Sequence, residues 1–588
     1  MAPTGERTQS DEGILDLLLA THLTDSVVAE WGVAPAVACR ATCVDWLVAV
    51  RIFTYSRVEW AISSFAPYKS PGLDGIFPAL LQEGKENLIP CLVRIFRTCL
   101  ATGYVPALWR QAKVVFIPKP GRSSYCGPKD FRSISLTSFL LKTMERLVDR
   151  FLRDEILALQ PLHPNQHAYQ AGKSVETALH HLVVRAEKAL DQQDIALGIF
   201  LDVEGAFDNT SYDSTCLALT RHGVDHTILR WIRATLEGRL ITAALEGVSR
   251  SVAVSRGCPQ GGVLSPLLWC LVVDELLVRL NEGSVYAQGY ADDFCILAVG
   301  KFPNTVSGLI QWSLHIVELW CAGLGLSVNP DKTVLVAFTR KRKLTGFFEP
   351  RLFGKTLKRS LSIKYLGVIL DPRLTWKEHV DAKVKKAQNS MWACRRACGV
   401  TWGLKPSVVH WLYVAIIRQS VTFASLVWWP GCQTASAKKK LSKVQRWACL
   451  GVTGAMRTTP TNAVEAPIYL PSLDLVIQSE ARSAAHRLWS LGCWSYLQPN
   501  RGLSSILMRL QQSDPMLNMG VDIMRPAYNF EPRYGFTMLT REDWTKATVA
   551  PPAVKGLVWF TDGSRTGVGD RGWSLRAIGR TKAQFFPR

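Results

Sequence analysis

The chain has 588 residues, room for several domains at about 150 residues each, and its 48% hydrophobic and 20% charged content is that of a core-forming chain, not a disordered one. Lysine and arginine number 69 against 48 acids, a net charge of +21 that suits a polyanionic partner such as a phosphate backbone; an anionic membrane surface is the other candidate. No apolar run reaches the ~18 residues of a bilayer-spanning helix. The stretch 263–280 comes nearest and is broken by Asp274, Glu275 and Arg279, so no helical membrane span is expected.

In chain order, residues 1–60 read as a helical lead-in, with Ile14, Leu15, Leu17, Leu18, Leu19 and Leu23 in one helix-like cluster. The first residues are polar and no secretory apolar region follows them. From 61 to 371, strand-like runs alternate with amphipathic helical patterns and Gly/Pro punctuation, which predicts a mixed α/β body. Residues 372–552 turn helical and basic, with Trp392, Trp402, Trp411, Trp428, Trp429 and Trp447 spread through them. A final segment, 553–588, opens on a strand at 557–561. The 15 cysteines include no Cys-x-x-Cys pair, and Cys394 and Cys398 have no third or fourth ligand nearby. They read as reduced core residues of an intracellular protein, not as a zinc site.

Three stretches of the middle region carry chemistry. Residues 195–201 form an almost unbroken apolar run of strand length, expected to be buried on both faces, and end in Asp202. Asp208 follows shortly after, where capping and structural support compete with a ligand role. Residues 256–266 form a loop of small and rigid residues in which Gly261 and Gly262 permit close approach to backbone. There Ser265 reads as a helix N-cap with Pro266 at the first helical position. The third stretch is Tyr290-Ala291-Asp292-Asp293, flanked by strand-like runs at 284–290 and 294–299, which predicts a hairpin with two adjacent carboxylates at its tip. Two acids side by side repel each other, and a hard divalent cation is the usual reason to tolerate that. A solvated Asp-Asp turn is the alternative.

The ordered set 201–208, 259–266 and 290–293 resembles the palm motifs of reverse transcriptases of non-LTR (LINE-type) retrotransposons, in particular the Jockey-like group. Residues 69–75 resemble that family's leading motif, 116–122 and 130–136 its fingers motifs, and 326–333 and 365–370 the two motifs after the hairpin. The stretches 441–454 and 457–461 are similar to a recurring patch of its connecting region. The resemblance implies an α+β right-hand fold: fingers and palm over 61–371, a helical basic thumb and connecting region over 372–552, and an incomplete ribonuclease H-like segment over 553–588.

By function it implies an RNA-directed DNA polymerase that uses an RNA template, a DNA primer and deoxynucleoside triphosphates, with no membrane partner. It also implies an intracellular ribonucleoprotein of nucleus and cytoplasm. Asp202, Asp292 and Asp293 are expected to hold two magnesium ions, with manganese as a substitute. Lys119 and Arg132 match positions that contact the incoming triphosphate, and Gln260 and Gly261 line the nucleotide site. Phe207 matches the side chain that excludes a ribose 2′-hydroxyl, and Lys332 is a candidate proton donor to the leaving group. Basic runs at 340–343, 383–386 and 438–440 are candidates to track a phosphate backbone, a solvated helix face being the alternative for each.

The pattern departs from the family at Ser133, where a proline usually follows the arginine of the second fingers motif. A catalytically silent nucleic-acid-binding remnant is the alternative function, and an intron-maturase polymerase the alternative within the same fold. Residues 559–564 resemble the opening strand of a ribonuclease H domain, with Asp562 at its first metal-binding acid and Asp570 as the sole later acid. So few carboxylates are not expected to hold two divalent ions, and so short a segment is not expected to bury a core alone. The chain therefore reads as a polymerase core cut from a longer polyprotein, without ribonuclease H activity. Cleavage of RNA in a hybrid by the purified chain, abolished by Asp562→Asn, would overturn that expectation.

Overall fold

A computed structural model of the chain describes residues 10–23, 25–28, 38–121, 124–397, 403–494, 558–565 and 571–578. Arg122, Cys398, Trp402, Asp570 and the stretch 495–557 lie outside the described residues. The chain forms two compact units, Met1–Ala527 and Tyr528–Arg588.

In chain order, the strands that build the sheets of the first unit are β1 (Val27–Val28), β2 (Gln111–Pro118), β3 (Phe131–Leu136), β4 (Ile195–Glu204), β5 (Arg239–Leu245), β6 (Val248–Val254), β7 (Tyr286–Tyr290), β8 (Asp293–Gly300), β9 (Ser327–Val328) and β10 (Val334–Phe338). One sheet runs β1-β6-β5-β2-β3, parallel only between β2 and β5. Helix Asp11–His22, capped by the Ser10 hydroxyl, covers one face of it. Leu15, Leu19 and Leu23 pack there against Val114, Ile241, Ala243, Val252 and Val254. The helical cluster of the lead-in is therefore built into this sheet, joined by β1, which pairs with β6.

The second sheet has the order Arg359–Ser360, β10, β4, β8, β7, with β9 pairing the end of β4. Its central strand β4 is buried on both faces, as its apolar run predicts. Leu197, Ile199, Leu201 and Val203 point into a core with helices Ser265–Asn281 and Pro303–Leu324. Ala196 and Phe200 point the other way, into a core with helix Val175–Asp191 and the Ile363–Tyr365/Val368–Leu370 hairpin. Each such large side chain contributes about 1.5–3 kcal/mol, which anchors the strand that carries Asp202 against the repulsion at its end.

That second core continues into the helical region. Helices Lys377–Arg396, Ala435–Thr453 and Leu473–Ser490 pack Met391, Leu441, Val444 and Ile477 around Trp376, Trp428 and Trp429. Among the described residues no single helix is long and apolar enough to cross a membrane. The bent pair Pro406–Thr422 and Ser425–Gln433 meets that test by length and composition, and it buries Tyr413, Ile417, Leu426 and Trp428 in the core. Every described cysteine is free of disulfide bonds. In the second unit, strands Val558–Arg565 and Arg571–Ile578 form an antiparallel hairpin in which Asp562 stands opposite Ser574.

Candidate active site

Strands β4 and β8 run antiparallel with Leu201 opposite Phe294 and Asp202 opposite Asp293. Residues directly opposed on neighbouring strands bring their Cβ atoms within about 5 Å. The sheet register therefore sets one acid of the palm strand against the second acid of the hairpin. Strands β7 and β8 close between Tyr290 and Asp293, leaving Ala291 and Asp292 as a two-residue turn. Ala291 is held at a positive φ of 57°, a conformation a residue with a Cβ adopts only when its surroundings enforce it. Two bonds do so here: the Trp269 indole donates to the Ala291 carbonyl at 2.8 Å, and the Val203 amide donates to the Asp292 carbonyl at 3.3 Å.

The electrostatics follow from this crowding. Burial first, then the Asp292 and Asp202 charges, push the Asp293 carboxyl up to about 7. Asp202 is also pushed up, by burial and then by Asp292, while the Lys332 and Lys119 ammoniums oppose the shift. Such a set of mutually destabilised oxygen donors fits a hard divalent cation, whose charge would relieve the repulsion. As arranged, however, no group of three or more His, Cys, Asp or Glu among the described residues is gathered closely enough to hold a metal ion. The backbone makes the three acids neighbours without drawing their side chains into a cage.

Strand β9 delivers the next motif to the same place. Val328 and Ser327 pair with Val203 and Glu204. The turn that follows sets Lys332 Nζ 3.0 Å from Glu204 Oε1 and 3.8 Å from Asp202 Oδ2. Glu204 also accepts from Asn329 Nδ2 at 3.1 Å, and these two bonds hold its carboxyl below the usual range. Glu204 thus belongs to the site, although nothing in its local motif assigns it a role. Tyr169 is another: burial and the Asp292 charge raise its phenol. Its place in a loop that pairs beside β7 through Gly289 is a long-range contact without a sequence signature.

The loop after β6 packs tightly against the acidic strand end. Gly257 N bonds Thr210 O at 2.7 Å and Cys258 N bonds Phe207 O at 2.6 Å. Gln260 Nε2 donates to Asp208 Oδ2 at 2.7 Å, so Asp208 supports the loop, and burial pushes its carboxyl up to about 7. Gly261 has φ 119°, and a Cβ there would stand 2.6 Å from the Ser135 carbonyl oxygen. The helix then begins at Ser265 with Leu264 as N-cap, one residue earlier than expected. Ser265 does not cap it: the hydroxyl is buried and donates to Pro259 O at 2.9 Å, closing the loop. Phe207 lies half-buried with its ring 6.0 Å from that of Trp269.

The remaining candidates come from the first sheet. Lys119 follows β2, its amide bonded to Asp130 O and its ammonium to Lys129 O at 2.9 Å, and its charge reaches Asp202. Arg132 is exposed on β3, opposite Ile117. Ser133 is buried opposite Phe116 within the strand pair.

Residues 117–370, which contain every one of these candidates, match the family described as reverse transcriptase (RNA-dependent DNA polymerase). The match marks this stretch as similar to that family and covers less than half of the chain. The chain is 28% identical over 421 residues to the putative 115 kDa protein in type-1 retrotransposable element R1DM of Drosophila melanogaster, covering 71% of this chain and 40% of that protein. It is 26% identical over 453 residues to the RNA-directed DNA polymerase from mobile element jockey of Drosophila funebris, covering 74% and 48%. The chain thus spans less than half the length of either relative. Among solved structures, apo telomerase from Candida tropicalis truncated from its C-terminal domain aligns with TM-score 0.32 and 13% identity over 52% of this chain and 61% of that one.

The basic runs in and beyond the matched stretch are partly used internally. Lys383 donates to Ser420 O at 2.9 Å, and burial lowers its ammonium to about 8. Lys440 pairs with Asp381, Lys438 with Asp474, and Arg340 with Asp191. These cations fasten elements to one another.

The raised Asp293 carboxyl has a measurable consequence. Its folded pKa of about 7 lies above the ordinary 3.8 of an aspartate. The folded chain therefore binds this proton more tightly, and stability falls as pH rises from the acid range through about 7. In cation-free buffer at pH 8, Asp293→Asn is expected to stabilise the chain on the order of 2 kcal/mol, after a discount for partial exposure. The gain should shrink toward pH 5. Thermal melts at both pH values check it; an equal or lower melting temperature for the variant at pH 8 would be the contrary result.

Proposed function

We propose that the chain is an RNA-directed DNA polymerase of a non-LTR retrotransposon, which extends a DNA primer on an RNA template. The observation that carries this reading is the opposition of Asp202 and Asp293 across two strands, with Asp292 at the adjoining tip, inside the stretch that matches the reverse transcriptase family. In the reaction the primer 3′-oxygen forms a bond to the α-phosphorus of a deoxynucleoside triphosphate while the bond from that phosphorus to the pyrophosphate oxygen breaks. Asp202, Asp292 and Asp293 would hold two magnesium ions, or manganese in their place, which supply charge neutralisation and activate the 3′-hydroxyl.

The chain's own residues position the reactants, the main contribution in phosphoryl transfer. Lys119 and Arg132 face the triphosphate as cations. Gln260, oriented by Asp208, and Gly261 form the wall of the nucleotide site. Phe207, braced near Trp269, stands where a ribose 2′-hydroxyl would go. Lys332, held by Glu204, is placed beside Asp202 to give a proton to the departing pyrophosphate. We place this activity in a ribonucleoprotein of nucleus and cytoplasm.

Primer extension on an RNA template with deoxynucleotides and magnesium tests the reading. Template-dependent lengthening of the primer supports it. Binding of the RNA–DNA hybrid with no extension identifies a silent remnant instead.

A further inference from the structure

Beyond Arg239 of β5, whose guanidinium donates to Gly257 O, the loop 257–265 touches three parts of the fold. Two of them, the acidic strand end and β3, belong to the site already described. The third is Glu145, in helix Phe139–Phe151, which no motif assignment includes. Its carboxylate is 2% exposed and accepts the Val263 amide at 2.8 Å, and the neighbouring Leu264 amide is close enough to favour its charge. The Val263 amide lies one residue before Leu264, the N-cap of helix Ser265–Asn281, at the point where the loop enters that helix.

Glu145 is also tied backward to the leading motif. The Lys142 ammonium, one helical turn earlier and 9% exposed, interacts with both Glu145 and Asp74. Asp74 keeps a buried Oδ2 without a hydrogen-bond partner. Gly72 of the same motif lies so close to the chain at Thr137 and Ser138 that a Cβ would stand 2.9 Å from their backbone. The charges of Asp74 and Glu145 thus both act on the Lys142 ammonium, which connects the leading motif to the helix that holds the loop.

We propose that Glu145 is a positioning residue that presets the nucleotide-facing loop by holding the Val263 amide beside Leu264, so that the incoming nucleotide meets a finished wall. The proposal rests on the polymerase reading for its ligand, a deoxynucleoside triphosphate. A carboxylate is the group this place requires, because it accepts at every lone pair. A glutamine of the same shape has one accepting oxygen in place of two, so its NH2 competes for the place beside the buried Val263 amide.

The test compares the full chain with Glu145→Gln by single-nucleotide addition and by amide hydrogen exchange without nucleotide. The expected result is a KM for deoxynucleotide raised about tenfold, with primer–template affinity unchanged and melting temperature within about 3 °C. The Val263 amide should exchange faster while the amides of β4 stay slow. A merely structural role would lower active fraction and kcat and leave KM alone; that result, or unchanged exchange at 263, overturns the proposal. Should the variant not fold, exchange in the wild type decides. An amide at 263 that is slow before nucleotide is added supports the proposal, and one that slows only after nucleotide and primer–template arrive overturns it. A wild type that extends no primer counts against the polymerase reading alone, since the exchange experiment stands without turnover.

Discussion

Replacing Asp292 with asparagine should reduce nucleotide addition by at least about 10³-fold while the chain stays folded, and Asp202→Asn should do the same. Asparagine keeps the volume of aspartate and removes its charge. At Asp202 the substitution takes away the acid that β4 sets directly opposite Asp293. At Asp292 it takes away the charge that raises both neighbours. Neither change opens a cavity, and both lessen like-charge repulsion, so folding is expected to be retained or improved. Loss of activity together with unchanged or higher melting temperature would separate a functional role from a structural one. Single-turnover incorporation alongside a thermal melt gives both quantities, and extension within tenfold of wild type would refute the assignment.

Gly261→Ala should be the next most damaging change. The residue sits at φ 119°, and an added Cβ would meet the Ser135 carbonyl oxygen at 2.6 Å. That oxygen belongs to the backbone of a paired strand and has little room to yield, and the backbone conformation alone costs on the order of 1–3 kcal/mol for a residue with a side chain. The adjoining bond, from Ser135 N to Gln260 O at 2.7 Å, would be displaced with it. We expect nucleotide addition to fall about 10²-fold. Gly308→Ala is the matched control: it lies in helix Pro303–Leu324, has nothing within 4 Å of its Cβ position, and should be neutral or slightly stabilising. Equal behaviour of the two variants would show that loop geometry is irrelevant to turnover.

The parts of this site that could be read from sequence are those with a local pattern. The run 195–201 could be recognised as a doubly buried strand because its apolar character is continuous, and the position of Asp202 at its end followed. The hairpin around Asp292 could be read because strand-like runs flank a short polar turn. Register could not. Nothing local says that Asp202 faces Asp293, since pairing is chosen by packing of whole strands.

Glu145 illustrates a different limit. Its chemistry depends on the amide at Val263, more than a hundred residues away, and its helix reads as an ordinary amphipathic one. Ser265 reads locally as a cap, yet its hydroxyl turns back to Pro259 O, a contact set by the packing of the loop that no local pattern announces. Lys383 shows the same effect among the cations: its run looks solvated, yet burial against Ser420 makes it a fastener between helices.

The central claim is that Asp202, Asp292 and Asp293 together make a divalent-cation centre for polymerisation. Manganese binding, followed by electron paramagnetic resonance in the presence of primer–template and deoxynucleotide, tests it most directly. Wild type should bind manganese tightly and Asp202→Asn should lose that binding while retaining the nucleic acid. Equal manganese binding by the two proteins would contradict the account.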